Sequence, residues 1–142
     1  MSTDADWEAW GRREPYFGVI TDPRFRRAAM TPGALDEFFE SELLHANFVL
    51  EMVRHYIDPA FRPRSVLDFG CGVGRVAIAF AALAPEVTGL DVSPSMLAEA
   101  RRNCEARGAS GVRLLASDDD LASLDGTFDL VHSFIVFQHI PA

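Results

Sequence analysis

The sequence predicts an α/β protein built on an open, parallel sheet. From residue 65 onwards, short apolar segments alternate with segments of helical periodicity, at the spacing of strand–helix–strand units. A strand, a glycine-rich turn and a helix follow one another directly, which indicates right-handed parallel crossovers. We therefore divide the chain into an N-terminal arm of helices that packs on the core, residues 1–64, and a sheet domain, residues 65–142.

The arm begins with 31 residues in which aromatic side chains are mixed with prolines and arginines. Aromatic residues at this density pack over a core, so we expect an irregular lid or packing arm. Thr31 and Pro32 then provide a helix cap and a first-turn proline. Apolar residues recur at helical spacing up to Ile57, with Ser41 as a point where two helices would divide, and the prolines at 59 and 63 end the segment.

The sheet domain is predicted to hold four strands and two connecting helices. The glycine turn leads into an alanine-rich helix over residues 74–84. Ser93 caps a second helix, which Pro94 begins and Gly108 ends. The strands are predicted at residues 65–69, 86–90, 112–116 and 128–134.

The turn after the first strand, Gly-Cys-Gly-Val-Gly-Arg at residues 70–75, is the most informative segment. Its glycines allow a tight turn and leave the backbone open to a ligand. The dinucleotide pattern G-x-G-x-x-G would need a glycine at position 75, where Arg75 stands. Asp68, just before the turn, would repel a pyrophosphate and attract an ammonium group, unless it only caps the turn amides. Both residues favour S-adenosylmethionine over NAD.

Two further carboxylates end neighbouring strands. Asp91 follows the second strand, where it can accept hydrogen bonds from both hydroxyls of a ribose. Asp118, with Asp119 as its rival, follows the third strand, where it can receive an adenine amino group. Because strand ends of an open parallel sheet converge on one crevice, these carboxylates are expected to meet there. On this basis, replacing Asp91 with alanine weakens cofactor binding and leaves the melting temperature nearly unchanged.

The segments VLDFGCGVGR, TGLDVSPSML and FDLVHSFIVFQHIP resemble the class I, Rossmann-like S-adenosylmethionine-dependent methyltransferase family, in its small-molecule branch. The resemblance implies strand order 3-2-1-4, an unidentified small-molecule acceptor, and further strands that this sequence lacks after its fourth. It also implies a cofactor site whose residues hold the methionine end, the ribose, the adenine and the transferred methyl. In chain order they are Asp68, Gly70, Gly72, Gly74, Asp91, Val92, Met96, Asp118, Ser133 and Phe134.

Several residues allow a plainer interpretation. Met96 fits helix core as well as an adenine contact, and Cys71 fits a small turn residue. His139 is a candidate general base, although many methyl transfers need only alignment of the reactants. Trp7, Trp10 and Tyr16 fit core packing better than a substrate cage. His132 is expected to be structural, and His45 carries no motif. Two functions remain as alternatives: a non-catalytic binding module and an NAD(P)-dependent oxidoreductase.

Composition restricts the partners. The chain has a net charge of -8 and two cysteines without metal-ligand spacing, so neither nucleic acid nor a metal is expected. An acidic N-terminus without an apolar segment, and the lack of any apolar run of bilayer length, predict a cytoplasmic protein without membrane contact. The fourth strand is expected to have an open edge and to drive self-association. Alternatively, the helix of residues 34–57 covers that edge and keeps the chain monomeric.

Overall fold

The structure, a computed structural model, describes residues 3–118 and 120–140 of the chain. Its centre is a parallel sheet of four strands in the order β3-β2-β1-β4, which confirms the predicted topology. Val66 of the central strand pairs with Val87 on one side and with Leu130 on the other. The strands are β1 (Ser65–Phe69), β2 (Glu86–Asp91), β3 (Arg113–Ala116) and β4 (Leu130–His132).

Among the described residues, five α-helices accompany the sheet: α1 (Asp4–Arg13), α2 (Pro15–Val19), α3 (Pro32–Tyr56), α4 (Arg75–Ala81) and α5 (Pro94–Ala106). The predicted caps are present. The Thr31 hydroxyl accepts a hydrogen bond from the amide of Ala34 at 3.1 Å, and the Ser93 hydroxyl accepts one from the amide of Met96 at 3.1 Å. Each cap satisfies an amide that has no partner within its own helix. None of the helices in these two described ranges is long and apolar enough to span a bilayer.

The core has two parts. Leu50 of α3, Phe80 of α4 and Val66 of β1 belong to the first, which lies between the sheet and the helices on one face. Phe38 of α3 and Met96 of α5 belong to the second, which lies beside the N-terminal arm. The second part places the arm next to the carboxyl ends of β1 and β2, where the glycine turn lies.

The expectation that residues 1–31 are irregular is wrong, because α1 and α2 both lie there. The sequence hides α1, since Gly11 is its only fully buried residue and an apolar stripe is therefore missing. Its helix signals are electrostatic: Asp4 and Asp6 stand in the first turn, and two arginines stand in the last. Charges in this arrangement interact favourably with the helix dipole and so stabilise the helix.

The bounds of α4, β2 and β3 differ from prediction by one to three residues, and two larger differences concern α3 and β4. Ser41 does not divide the long helix, because its hydroxyl donates to the carbonyl of Glu37 at 3.2 Å within an unbroken α3. β4 is shorter than residues 128–134 and ends at His132. Beyond it, Ile135 adopts a left-handed backbone with φ of 57°, which no strand continues.

Candidate functional site

A crevice of about 760 Å³ opens at the carboxyl ends of the parallel strands. The glycine turn forms its floor, the N-terminal arm forms one wall, and residues 134–136 and 138–140 form another. Ligand sites of open α/β sheets occupy this position, where strand order reverses beside the first strand. Its size is within the range of small-molecule and cofactor pockets.

The glycine turn is shaped by left-handed backbone. Gly70 has φ of 76° and Gly72 has φ of 52°, conformations that side chains disfavour. The carbonyl of Leu90 accepts hydrogen bonds from the amides of Gly70 and Cys71, at 2.7 and 2.9 Å. The Cys71 thiol is buried, and burial raises its pKa well above the usual value. A protonated, enclosed thiol matches the interpretation of Cys71 as a turn residue.

Asp91 ties the glycine turn to the start of α5. Its Oδ2 accepts from the amide of Gly72 at 2.8 Å, and its Oδ1 accepts from the amide of Ser93 at 2.9 Å. Burial raises the pKa of Asp91, and the hydrogen bonds from Ser93 and Gly72 oppose that shift. The carboxylate also lines the crevice, so it serves both the loop and any ligand bound there.

Asp68, on β1, lines the crevice from the floor. Its Oδ1 lies 2.9 Å from Nδ1 of His132, on the neighbouring β4. Within the described residues its hydrogen-bond partner is therefore an imidazole and not the amides of the glycine turn. Sequence reasoning missed this pair, because only the β1–β4 register brings residues 68 and 132 together.

The predicted adenine side is partly assembled. Val92 and Met96 both line the crevice, and Met96 also belongs to the core beside the arm. Asp118 is not in the lining of the described residues, because its carboxylate accepts from the amide of Ala122 at 2.9 Å. The rival residue, Asp119, lies outside the described residues. Ser117 occupies the wall instead.

Two other predicted contacts lie elsewhere in the described structure. A Cβ added to Gly74 would lie 3.2 Å from Cβ of Ala100, so this glycine serves the packing of α4 on α5. The Ser133 hydroxyl donates to the carbonyl of Phe69 at 3.1 Å and is outside the wall. The crevice therefore brings together seven predicted residues: Asp68, Gly70, Gly72, Asp91, Val92, Met96 and Phe134.

The arm contributes more to the crevice than the sequence indicated. Trp7, Trp10 and Phe17 all line it, although their pattern favoured plain core packing. Glu8 holds the arm in place at the start of α5. Its Oε2 accepts from the Ser93 hydroxyl at 2.7 Å and from the Ser95 amide at 3.0 Å, and its Oε1 accepts from the Ser95 hydroxyl at 2.7 Å. These hydrogen bonds, led by those of Ser95, lower the pKa of Glu8 to about 2.

Position 75, where a dinucleotide pattern has its third glycine, holds an arginine that contacts α3. Its guanidinium pairs with Glu42 of α3 at 2.8 Å, donates to the Ser41 hydroxyl at 2.7 Å, and donates to the carbonyl of Phe38. Arg75 and Glu42 are both nearly buried. The side chain thus anchors α3 to the glycine turn, a task that glycine does not perform.

His139 lines the crevice where the wall of residues 138–140 meets the arm, and its ring meets the Trp7 ring edge-on at 5.1 Å. The hydroxyl of Thr3 donates to its backbone carbonyl at 2.9 Å, which joins the start of the arm to residues 137–140. No three His, Cys, Asp or Glu side chains in the described ranges are arranged to hold a metal ion.

Comparison with known proteins finds similarity to methyltransferases. The chain is 41% identical over 96 residues to a demethylmenaquinone methyltransferase of Thermus thermophilus, a match that covers 64% of this chain and 43% of that protein. It is 35% identical over 79 residues to a ubiquinone biosynthesis O-methyltransferase of Thiobacillus denitrificans, covering 55% and 34%. Among solved structures, it resembles CalS10, an amino pentose methyltransferase from Micromonospora echinaspora determined with bound S-adenosylmethionine. That likeness has 36% identity and a TM-score of 0.54, and it covers 66% of this chain and 36% of that one.

The chain spans less than half the length of these curated relatives, 34% and 43%. A family model described as a methyltransferase domain matches residues 66–142, which is more than half of the 142 residues. The match includes the glycine turn, Asp91 and all four strands except the first residue of β1. The chain therefore belongs to the methyltransferase-domain family, in its class I, Rossmann-like group.

Proposed function

We propose that the crevice binds S-adenosylmethionine and that the chain serves methyl transfer to a small-molecule acceptor. One observation carries this proposal. Asp68, Asp91 and the open backbone of Gly72 lie in the wall of a single crevice of about 760 Å³. Family membership and the structure of CalS10 with S-adenosylmethionine support the same cofactor.

The residues present fit the chemistry of this cofactor. Asp68 would hold the ammonium group of the methionine end, because an aspartate at the crevice floor attracts a cation. Each oxygen of Asp91 accepts one amide and keeps capacity for one more donor, which suits the two ribose hydroxyls. Val92 and Met96 offer apolar surface for the adenine.

The protein's own contribution is orientation and exclusion of water. When bound, S-adenosylmethionine supplies an electrophilic methyl group on its sulfonium. Trp7, Trp10 and Phe17 close the crevice from the arm side and keep water from the reactants. His139, in the wall of residues 138–140, is the candidate general base. It would take a proton from an acceptor that must lose one.

The acceptor is proposed to be a small molecule with an apolar ring. Apart from the glycine turn and the carboxylates, the crevice wall is largely aromatic and aliphatic, and its rings include Trp7, Trp10, Phe17 and Phe134. The net charge of -8 disfavours a nucleic acid acceptor. The similar proteins act on acceptors as different as demethylmenaquinone and an amino pentose, so similarity alone leaves the acceptor atom open.

Calorimetry with three ligands tests the proposal. We expect S-adenosylmethionine and S-adenosylhomocysteine to bind and NAD to give no measurable heat. The reverse order would favour the oxidoreductase alternative, which Arg75 and Asp68 oppose. Binding without methyl transfer to any of a panel of ring-bearing phenols and amines would favour the non-catalytic module.

A cytoplasmic location and the division of the chain at residue 64 stay predictions.

A further inference from the structure

Behind the glycine turn, three side chains form a continuous hydrogen-bonded row, of which the proposed function uses only Asp68. Asp68 of β1 lies 2.9 Å from Nδ1 of His132 on β4. Nε2 of the same His132 lies 3.1 Å from Nε2 of His45, on α3. The row therefore runs from the crevice floor, across the sheet edge, to the long helix of the arm.

Asp68 and His132 are buried, next to aromatic rings, whereas His45 is half-buried. Asp68 is 3% exposed and His132 is 8% exposed. The His132 ring packs against Phe80 at 5.3 Å, and the His45 ring packs against Phe134 at 4.9 Å. Hydrogen bonds in such surroundings have little competition from water, and a buried carboxylate without a donor would be costly.

The pairing fixes the direction of the hydrogen bonds. A carboxylate accepts, so His132 donates from Nδ1 to Asp68. A neutral imidazole has one donor and one acceptor nitrogen, so Nε2 of His132 accepts and Nε2 of His45 donates. The contact with Asp68 thus selects the Nδ1–H tautomer of His132, the hydrogen bond from His45 holds the His132 ring in place, and His132 fixes the rotamer of the Asp68 carboxylate.

We propose that His132 and His45 are positioning residues for the amino-acid end of the bound cofactor. They act through Asp68, whose carboxylate they hold toward the crevice before the ligand arrives. A carboxylate already fixed in its binding orientation loses less conformational entropy on binding, which strengthens its contact with the ammonium group. This inference rests on the proposed function and assigns a role to two histidines outside the wall of the crevice.

Two ligands separate positioning from general damage. S-adenosylhomocysteine carries the amino-acid end, whereas 5′-methylthioadenosine has the adenosine and the thioether without it. In His132→Leu we expect S-adenosylhomocysteine affinity to fall roughly ten- to hundred-fold, as for loss of a charge-assisted contact. Affinity for 5′-methylthioadenosine should change less than about twofold, because that ligand does not use Asp68.

Matched variants show which hydrogen bond matters. His132→Asn keeps a donor near the Nδ1 position and should recover most of the affinity for S-adenosylhomocysteine. His45→Gln keeps a donor near Nε2 and should bind like the wild type, whereas His45→Leu should lose part of the affinity for S-adenosylhomocysteine alone. Nitrogen-15 NMR of the ligand-free wild type should show His132 as the Nδ1–H tautomer.

The outcomes are distinct. An equal loss for both ligands, or unchanged S-adenosylhomocysteine affinity in His132→Leu, would overturn the positioning role while leaving the proposed function intact. An Nε2–H tautomer of His132 would overturn it as well. A wild-type chain that binds neither ligand would contradict the proposed function itself and, with it, this inference.

Discussion

The Asp91 carboxylate lines the crevice and also joins the glycine turn to the start of α5. Spacing from the glycine turn identified it as a ribose ligand and implied that its loss would spare the fold. Its oxygens instead accept the amides of Gly72 and Ser93, one from the turn and one from the cap of α5. A side chain that satisfies two partly buried amides is structural as well as ligand-binding.

Replacing Asp91 with alanine should therefore weaken both the ligand site and the fold. Two orphaned amides cost about 1–3 kcal/mol each, so we expect a lower melting temperature even without ligand. Affinity for S-adenosylhomocysteine should fall by roughly one to two decades. Differential scanning calorimetry and titration calorimetry measure the two effects. Asp118→Ala is the matched control, and an Asp91→Ala protein with wild-type melting temperature would contradict the structural duty.

Residues whose roles follow from local spacing were predictable, and residues whose roles follow from tertiary contact were not. Gly70, Gly72 and Asp91 were identified because a strand, a turn and the next strand end stand at fixed distances along the chain. His132 pairs with Asp68 across 64 positions, and Glu8 reaches Ser95 across 87. No periodicity links such positions, so neither contact leaves a signal in the sequence.

At the scale of elements, the Glu8 carboxylate joins the N-terminal arm to the start of α5. The pKa of Glu8 in the folded state, about 2, lies below the ordinary glutamate value of 4.5. The folded state therefore holds fewer protons than the unfolded state between these values, and Glu8 stabilises the docked arm above pH 4.5. That stabilisation is lost as the pH falls from 4.5 toward 2.

Both tryptophans of the chain lie on the arm, so their fluorescence reports its docking directly. Lowering the pH from 5 to 3 should shift the emission of the wild type to the red and increase quenching by iodide. Glu8→Gln should show the loosened state already at pH 6, with a weaker pH response. Glu51→Gln, at an exposed ion pair with Arg54, is the control. Identical titrations of the Glu8→Gln protein and the wild type would rule out this role.

Two glycine-to-alanine changes test whether α1 packs as closely as the structure shows. A Cβ at Gly11 would lie 2.7 Å from the Ser93 hydroxyl and 3.0 Å from the Met96 amide, so the arm must move away. A Cβ at Gly33, on α3, would meet nothing within 4 Å. We expect Gly11→Ala to expose the tryptophans to iodide, and Gly33→Ala to leave them protected and to add at most about 1 kcal/mol of stability. Equal quenching of the two variants would contradict the close packing.

The elements of the sheet domain were predictable because each combines an apolar run with a local stop signal. Ser65–Phe69 was placed to the residue, and the Ser93 cap and Gly108 bracketed α5. The fourth strand was predicted too long, because Phe134 and Ile135 are apolar but belong to a turn that lines the crevice. Apolar character alone does not distinguish a strand from a binding wall.

At the scale of the whole molecule, β4 is an edge strand of the sheet. Within the described ranges β4 pairs with β1 alone, and its other side is open. Val131, in the middle of that strand, is 61% exposed, and Phe134 and Ile135 beyond it are 53% and 58% exposed. Val131 and His132 point to opposite faces of the sheet. α3 contacts the face of His132 through His45, and the face of Val131 is left uncovered.

We therefore expect the 142-residue chain to self-associate through the open side of β4. Unpaired amides and carbonyls beside apolar side chains bind a second strand, and a two-fold dimer is the simplest closed arrangement. Light scattering after gel filtration, at tens of micromolar protein, should give the mass of a dimer. Val131→Lys should shift the mass to that of the monomer, because a charge at the centre of an edge strand opposes strand pairing. Tyr56→Lys, at a side chain 74% exposed on the far end of α3, should leave the dimer intact. A wild-type monomer would contradict self-association. A dimer that Tyr56→Lys dissociates and Val131→Lys does not would place the contact elsewhere.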